Sequence, residues 1–387
     1  MAQDIPLTIA TFASAQIGDT LMATSLYQAL RSHYPSSKIT LLSQVPEHPV
    51  LAGLEAFDVV RAYSETLDLG LFELVVLPAF CGDELVHRHF DKHPRAISLD
   101  RLHARNRETL RNRWDGSYSH LLFYKHQFEL NEELAREFGF NDAMPPLYGP
   151  QGDANEYIEY RGRIGLYINT PINQFQSLPN RQWPLLLWRN LIELLGAEIV
   201  ILVGGPTDRP NLLQLSEQSG AECLVTPFLA DFASVCRNLR TLVTTDGGAM
   251  HVAATSGVPI VSLHGASSPI LLHPWIYPDG KCISILAPNT CSPCQRSFRL
   301  QLCEQGVTRM ACMERIDPLM VKRALDEIDR LDSGTCLILK GNDLMTKEAY
   351  VHSWRRKLFS TANYNLARLT LNWGASDRGL KNPRLTS

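Results

Sequence analysis

Six consecutive residues in the second half of the chain form a glycine-containing turn and the start of a predicted helix, a pattern that suits a bound anion: Asp246, Gly247, Gly248, Ala249, Met250 and His251. They follow an apolar run that predicts a strand, and a predicted helix begins at Ala249. Glycine lets a phosphate approach the main chain, and the free N–H groups of a first helical turn point outward at the positive end of the helix dipole. The pattern therefore predicts a phosphate site made of main-chain amides. The alternative is a tight turn in which Asp246 only caps the helix, and such a cap does not exclude a phosphate.

An arginine precedes another predicted helix of the same half. Arg181 lies in the loop before Pro184, and proline suits the first position of a helix. In an α/β sheet such a loop lies at the carboxyl end of a strand, where ligands bind, and a guanidinium offers two parallel donors to a phosphate. Arg181 alone could equally be a surface residue. A ligand role is favoured only because the same half of the chain also contains the glycine turn.

A second glycine turn also follows a predicted strand and opens a helix. It contains Gly204 and Gly205, then Thr207 and Asp208. This turn could receive a nucleoside, with Thr207 or Asp208 hydrogen-bonding the ribose. An ordinary strand-to-helix turn explains the same residues.

The first half places a carboxylate between its first predicted strand and its first predicted helix. Asp19 follows Ile17 and Gly18 in this loop. A carboxylate there would face a cleft between two domains, where a general base is wanted. The alternative is that Asp19 caps the helix.

Four cysteines have the spacing Cys-x2-Cys-x8-Cys-x8-Cys: Cys291, Cys294, Cys303 and Cys312. Four thiolates at such spacing could close a tetrahedral structural site for zinc or iron, and Cys-x2-Cys is the usual first half of such a site. A plain loop with reduced thiols is the alternative.

Short β-rich apolar runs alternate with helical patterns in both halves, which predicts parallel sheets covered by helices. The predicted strands are residues 7–12, 38–42, 73–78, 163–168, 198–203, 241–245 and 259–264. The predicted helices are residues 20–34, 184–195, 208–218, 230–238 and 249–256. A proline- and glycine-rich stretch at 138–160 resembles a linker. We therefore expect one α/β domain at residues 1–150 and a second at 160–335.

The composition describes an ordinary globular protein. Of 387 residues, 45% are hydrophobic and 20% charged, and the formal charge of -3 gives no general reason to bind nucleic acid. No apolar run reaches the roughly 18 residues of a spanning helix, so membrane contact is expected to be peripheral. The start lacks the positively charged leader of a secretory signal, which favours a cytoplasmic location.

The end of the chain, residues 341–387, carries eight Lys or Arg against three acidic residues. An apolar stripe at helical spacing predicts a basic amphipathic helix there. Such a helix could pack on the body of the protein, or it could sit on an anionic membrane surface such as the cytoplasmic face of the inner membrane.

Taken together and in order, these motifs over residues 7–330 resemble glycosyltransferase family 9, the family of lipopolysaccharide heptosyltransferases. The elements that carry the resemblance are Ile17-Gly18-Asp19, Arg181-Gln182-Trp183-Pro184, Gly204-Gly205-Pro206, Asp246 through His251, and the cysteines from Cys291 to Cys312.

The resemblance implies a GT-B fold, in which two Rossmann-like domains have parallel sheets that face across a cleft. It also implies an inverting transfer of heptose from ADP-heptose to a lipopolysaccharide core or related glycan. Asp19 would be the general base, and the amides of Gly247, Gly248 and Ala249 would hold the donor diphosphate with Arg181. His251 belongs to the signature, either in contact with substrate or as a local helix-orienting histidine.

The resemblance leaves the acceptor and the cofactors open. A protein hydroxyl could replace the glycan as acceptor, and a nucleotide-sugar epimerase or a non-catalytic nucleotide-binding protein could share the fold. No Asp-x-Asp pair occurs in the chain. A metal-bridged diphosphate therefore lacks an evident ligand pair, and we expect transfer without a catalytic cofactor.

Overall fold

The protein is described by a computed structural model that covers residues 6–45, 47–82, 84–102, 125–168, 181–276, 280–289, 292–293 and 311–350. Within these ranges, no helix combines the length and the apolar character needed to cross a membrane.

The first half forms a five-stranded sheet in the order β3-β2-β1-β4-β5. Its strands are β1 (Thr8–Ala13), β2 (Lys38–Ser43), β3 (Val59–Ala62), β4 (Leu74–Val76) and β5 (Ala96–Ile97). All of the pairings are parallel. Sheets of this kind are covered on both faces, which explains why five of the six residues of β1 are buried.

Among the described residues, the first half contains the helices α1 (Ile17–His33), α2 (Glu84–Asp91) and α3 (Gln127–Glu137). Helices α1 and α3 pack against each other. Two side chains of α1 hold the chain that leads to the second half, because Ser25 Oγ donates to Pro145 O at 2.6 Å and the Tyr148 N–H donates to Thr24 Oγ1 at 2.9 Å.

The second half forms an eight-stranded sheet in the order β13-β12-β11-β10-β9-β6-β7-β8. Its strands are β6 (Ile164–Tyr167), β7 (Val200–Gly204), β8 (Glu222–Val225), β9 (Thr241–Thr245), β10 (Ile260–His264), β11 (Cys282–Leu286), β12 (Cys336–Lys340) and β13 (Asp343–Thr346). In the part of this sheet that the structure describes, only the edge strand β13 is antiparallel, and it pairs with β12 through a short hairpin.

The helices of the second half are α4 (Leu185–Leu195), α5 (Arg209–Ser219), α6 (Leu229–Asn238), α7 (Gly248–Thr255), α8 (Pro269–Leu272), α9 (Ala311–Glu314) and α10 (Pro318–Ile328). One large core lies on the side of α4 and α10, where Trp188 is fully buried. Another core continues from the second half into the first, since Leu21 and Met22 of α1 pack with Met250 and Val252 of α7.

The strand order in each half reverses next to the first strand of that half. In the first sheet the reversal lies between β1 and β4, and in the second it lies between β6 and β9. Parallel sheets open a crevice at such a switch point, beyond the carboxyl ends of the strands. The strand order therefore gives each half a place for a ligand.

All of the predicted strands and helices exist, with ends that differ by a few residues. Helix α1 begins at Ile17 instead of residue 20, so Asp19 lies inside its first turn. The second sheet continues beyond residue 335 through β12 and β13.

The predicted helical tail is wrong at its start, where residues 343–346 form strand β13 because Leu344 pairs with Leu339. Helical conformation begins at residue 347. Residues 351–387, which carry seven of the eight basic residues and the apolar stripe of the predicted helix, lie outside the described part of the chain.

Candidate active site

The two predicted loops, one from each half, lie against each other. A Cβ on Gly248 would come within 3.0 Å of Ile17 Cβ and 3.5 Å of the Gly18 nitrogen. A Cβ on Gly18 would come within 2.9 Å of His251 Cδ2. Glycine at both positions thus allows the first turn of α1 to approach the first turn of α7.

Helix α7 begins directly after the carboxyl end of β9, beside the switch point. Its N-cap is Gly247, which makes no side-chain cap, so the alternative in which Asp246 caps the helix is wrong. The amides of Gly248 and Ala249 lie in the first turn, whose N–H groups have no partner within the helix. Gly248 and Ala249 are partly exposed, so this turn is accessible to a ligand.

Met250 has a different place from its neighbours. Its side chain is fully buried in the core shared by α1 and α7, and its N–H donates to Gly247 O at 3.1 Å. The prediction that Met250 binds the donor is therefore corrected: this residue packs the helix against the core.

Arg181 and Asp246 form an ion pair with 3.3 Å between Nε and Oδ2. Asp246 is 1% exposed, whereas the Arg181 side chain is 17% exposed. Burial alone would raise the pKa of Asp246, but the positive charge of Arg181 and a hydrogen bond from Ser267 hold it below its usual value. Asp246 is thus a fixed anion that orients Arg181 beside the first turn of α7.

A chain of buried hydroxyl and imidazole groups lies behind Asp246. Ser267 Oγ lies 3.3 Å from His264 Nδ1, and His264 Nε2 lies 2.9 Å from Ser262 Oγ. Ser262 in turn lies 2.9 Å from Ser284 Oγ. Burial lowers the pKa of His264 to about 4, so the imidazole is neutral at pH 7. Sequence reasoning missed this network, whose one visible signal is the alternation of Ser262 and His264 on β10.

Asp19 lies in the first turn of α1, on the N-terminal half's side of the contact. Burial raises the pKa of its carboxyl group to about 6, the positive charge of Arg181 and a hydrogen bond from Gln127 lower it in part, and the negative charge of Asp246 adds to the rise. The carboxylate thus shares one electrostatic environment with Arg181 and Asp246, although the three residues come from different halves. A carboxylate with this pKa can accept a proton near neutral pH.

Gln127 is a site residue that sequence reasoning missed. It is the first residue of α3 and is 1% exposed. Its Nε2 donates to Ala79 O at 2.9 Å, and its side chain also hydrogen-bonds with Asp19. Asn131, one turn later on α3, accepts from the Ala79 N–H at 2.9 Å and donates to Met22 O at 2.9 Å. Helix α3 thereby fixes the turn that follows β4 and the carboxylate beside it.

His251 lies in α7 with its ring against Gly18. It is 4% exposed, and burial lowers its pKa to about 4. Among the described residues its buried Nδ1 has no hydrogen-bond partner. A buried polar atom without a protein partner is costly unless a ligand or water satisfies it. His251 therefore has an atom to offer to a ligand in this cleft.

The second glycine turn is organised around Asp208. Its Oδ2 accepts from the Gly205 N–H at 2.8 Å and from the Tyr167 hydroxyl at 3.0 Å. A Cβ on Gly204 would come within 2.8 Å of Asp208 Cβ, which explains the glycine there. Asp208 is buried and holds the turn together, whereas Thr207 is exposed. Of the two predicted ribose ligands, Thr207 is the accessible one.

Three members of the four-cysteine cluster, Cys291, Cys294 and Cys303, lie outside the described residues. Cys312 is described and lies partly buried on α9. A metal at this cluster stays a prediction.

Comparison with known proteins shows a similarity to one family of glycosyltransferases. Residues 168–302 match the model of glycosyltransferase family 9 (heptosyltransferase). The chain is 25% identical to lipooligosaccharide heptosyltransferase 2 of Haemophilus influenzae over 303 residues, which cover 68% of this chain and 84% of that protein. It is 24% identical to the protein of the same name from Haemophilus ducreyi over 297 residues, or 65% of this chain and 82% of that protein.

Solved structures give the fold. A family 9 glycosyltransferase from Veillonella parvula has a TM-score of 0.61 at 18% identity, over 85% of this chain and 99% of that one. The E. coli ADP-heptose lipopolysaccharide heptosyltransferase II has a TM-score of 0.53 at 20% identity, over 83% and 98% of the two chains. The strand orders and these likenesses are those of a GT-B fold. The chain is a glycosyltransferase that is similar to the heptosyltransferases of glycosyltransferase family 9.

Proposed function

We propose that the protein transfers a heptose from ADP-heptose to a lipopolysaccharide core or related surface glycan, with inversion at the anomeric carbon. The observation that carries the proposal is the contact between the first turns of α1 and α7, because it brings a proton acceptor beside an anion site. The names of the Haemophilus relatives and of the E. coli ADP-heptose enzyme support the choice of donor and acceptor.

In this proposal Asp19 is the general base. Its carboxylate accepts the proton of the acceptor hydroxyl as that oxygen attacks the anomeric carbon and the bond to the diphosphate breaks. Because the pKa of Asp19 is about 6, the group is largely ionised at pH 7 and still basic enough to take a proton in the transition state.

The leaving diphosphate gains negative charge in the transition state. The amides of Gly247, Gly248 and Ala249 and the guanidinium of Arg181 bind that charge. Asp246 holds Arg181 in place, so these groups are oriented before the reaction begins. Preorganised donors of this kind stabilise the transition state more than the ground state. In the proposed mode Thr207 contacts the ribose and His251 contacts the sugar or the phosphate.

The proposal places the reaction at the cytoplasmic face of the inner membrane, where the sugar nucleotide is dissolved and a glycolipid acceptor is anchored. The basic residues between 351 and 387 are suited to an anionic surface.

Purified protein incubated with ADP-heptose and a heptose-deficient lipopolysaccharide core tests the proposal. We expect ADP release that depends on the acceptor and a product heavier by one heptose in mass spectrometry. Parallel incubations with a protein acceptor, and with the donor alone, separate protein transfer and epimerisation from glycan transfer. Acceptor-independent conversion of the donor would contradict the proposal.

Asp19→Ala provides the matched chemical control. Because a general base acts in the chemical step, we expect this variant to lose transfer by about 10²-fold or more while ADP affinity stays within a few-fold. Unchanged turnover in the variant would remove Asp19 from the mechanism.

A further inference from the structure

Two cysteines and a histidine meet at the amino-terminal ends of strands β11 and β12. Cys282 and Cys336 are the first residues of these strands, lie directly opposite each other and form a disulfide with 4.6 Å between their Cα atoms. His273 follows helix α8, and its Nδ1 lies 3.8 Å from Cys336 Sγ. One ligand atom from each of the three residues lies within 4.8 Å of the other two.

Because the cluster includes an imidazole, it could bind a metal ion as well as cross-link two strands. An imidazole nitrogen is a common ligand of divalent cations, and that of His273 lies close to both sulfur atoms. In the disulfide form the His273 Nδ1–H donates to the Pro274 carbonyl oxygen at 2.8 Å, so a cation can bind Nδ1 only after this proton has shifted to Nε2. The released carbonyl oxygen lies 3.9 Å from Cys336 Sγ and is then a further oxygen donor next to the sulfur atoms. Two thiolates and an imidazole form a typical ligand set for zinc.

We propose that reduction of the Cys282–Cys336 disulfide converts this cluster into a binding site for one divalent cation of the zinc class. A low-molecular-weight dithiol supplies two electrons and two protons; the S–S bond breaks, and the reductant becomes the disulfide. Binding of the cation to Cys282, Cys336 and His273 then displaces the two thiol protons. The Pro274 carbonyl or a water molecule completes a tetrahedral set.

The access and the surroundings of the cluster support a metal site. Cys282 is fully buried, whereas His273 and Cys336 are partly exposed, so a cation can enter from one side. The main-chain carbonyl of His273 accepts a hydrogen bond from His126 Nε2 at 2.9 Å. The cation would thus fix the loop on which the first half of the molecule docks.

The site shares no residue with the four-cysteine cluster from Cys291 to Cys312. The experiment must therefore remove metal binding by that cluster. We would use the full chain carrying Cys291→Ser and Cys294→Ser, reduced with a phosphine and desalted without oxygen. Titration with Co²⁺ should give a thiolate-to-cobalt charge-transfer band that saturates at one ion per chain and disappears when Zn²⁺ is added. The same protein kept oxidised should give no band.

Single substitutions in that background identify the ligands. Cys336→Ser and His273→Gln should each weaken Co²⁺ binding at least tenfold, and Cys336→Ser should also reduce the charge-transfer intensity. Cys223→Ser, on β8 at the opposite edge of the same sheet, is the matched control and should change neither. Circular dichroism confirms that each variant is folded.

Two results would overturn the proposal. One is a reduced, folded protein without the charge-transfer band, and the other is a band that Cys336→Ser leaves unchanged. Neither result depends on transferase activity.

Discussion

At the scale of single residues, the charge of Asp19 controls the chemistry we propose. Its pKa of about 6 results from burial, offset in part by Arg181 and Gln127. If Asp19 is the base, kcat/KM for transfer should rise about tenfold per pH unit below pH 6 and level off above it. A pH–rate profile at saturating donor checks this, and a flat profile between pH 5 and 7 would count against Asp19.

Gln127 should set that pKa from the first turn of α3. Removal of its hydrogen bond in Gln127→Met leaves the volume nearly unchanged but should move the acidic limb of the profile to higher pH and lower kcat at pH 6.5. Gln28→Met is the matched control, because Gln28 also bonds a main-chain carbonyl, that of Pro146 at 2.9 Å, and lies on α1. Equal profiles for the two variants would mean that Gln127 has only a packing role.

The same burial should make Asp19 a destabilising residue at neutral pH. The folded protein binds the Asp19 proton more tightly than the unfolded chain, so the charged form costs folding free energy above pH 6, and the cost disappears as pH falls through 6 to 4. Asp19→Asn should therefore raise the free energy of unfolding at pH 8 by up to about 3 kcal/mol and leave it nearly unchanged at pH 4. Urea denaturation at both pH values measures the difference, and a variant that is less stable at pH 8 would contradict the electrostatic account.

A local sequence pattern was enough to identify the two loops that the structure brings into contact. The motifs around Asp19 and Asp246 predicted two loops that would face each other, and the two first turns are in contact. Gln127 could not be found in this way, because it acts on a carboxylate 108 positions earlier in the chain and only the packing of α3 on α1 joins them. The pairing of Cys282 with Cys336 likewise depends on strand register.

At the scale of elements, the contact between α1 and α7 depends on the absence of side chains. Gly248→Ala places a methyl group 3.0 Å from Ile17 Cβ, which is tighter than nearly all side-chain contacts, so one helix must shift. We expect at least a tenfold loss in both ADP affinity and transfer. Thr255→Ala, at the other end of α7, should leave both unchanged.

Calorimetric titration with ADP and the transfer assay provide the two measurements. If Gly248→Ala bound ADP as wild type does, the amides of α7 would not hold the diphosphate.

The sequence was sufficient to predict elements with strong hydrophobic periodicity, such as β9 and α6, because their apolar pattern is long enough to identify. It was insufficient for β3 and β8, whose residues are exposed or only partly buried, and for β5, which has only two residues. It also placed the start of α1 too late, because Gln16 precedes the helix without a side-chain cap that would mark the boundary.

At the scale of the whole molecule, the first turn of α3 joins the Asp19 carboxylate to the second half. Gln127 contacts Asp19, whereas its neighbours His126 and Phe128 stack on Trp275 with ring centroids 4.8 and 4.3 Å away. Glu129 also pairs with Lys347 at 2.7 Å. A movement of the two halves relative to each other would therefore change the surroundings of the Asp19 carboxylate.

Trp275→Ala should remove the stacking contact between the first turn of α3 and the second half. We expect kcat to fall about tenfold or more while ADP affinity changes less than threefold, because the anion site lies in α7 and does not include Trp275. Trp188→Ala is unsuitable as a control, since that residue is fully buried in the core. Tyr63→Phe, which removes a hydroxyl bonded to His89 within the first half, serves instead and should leave both values unchanged.

The measurement that tests the account most directly is a crystal structure of the Asp19→Asn variant with ADP bound. We expect a β-phosphate oxygen about 3 Å from the amide nitrogens of Gly248 and Ala249 and within hydrogen-bond reach of Arg181. The substituted side chain in the first turn of α1 should face the same cavity across the cleft. A nucleotide bound elsewhere, with the amides of α7 turned toward solvent, would contradict the account.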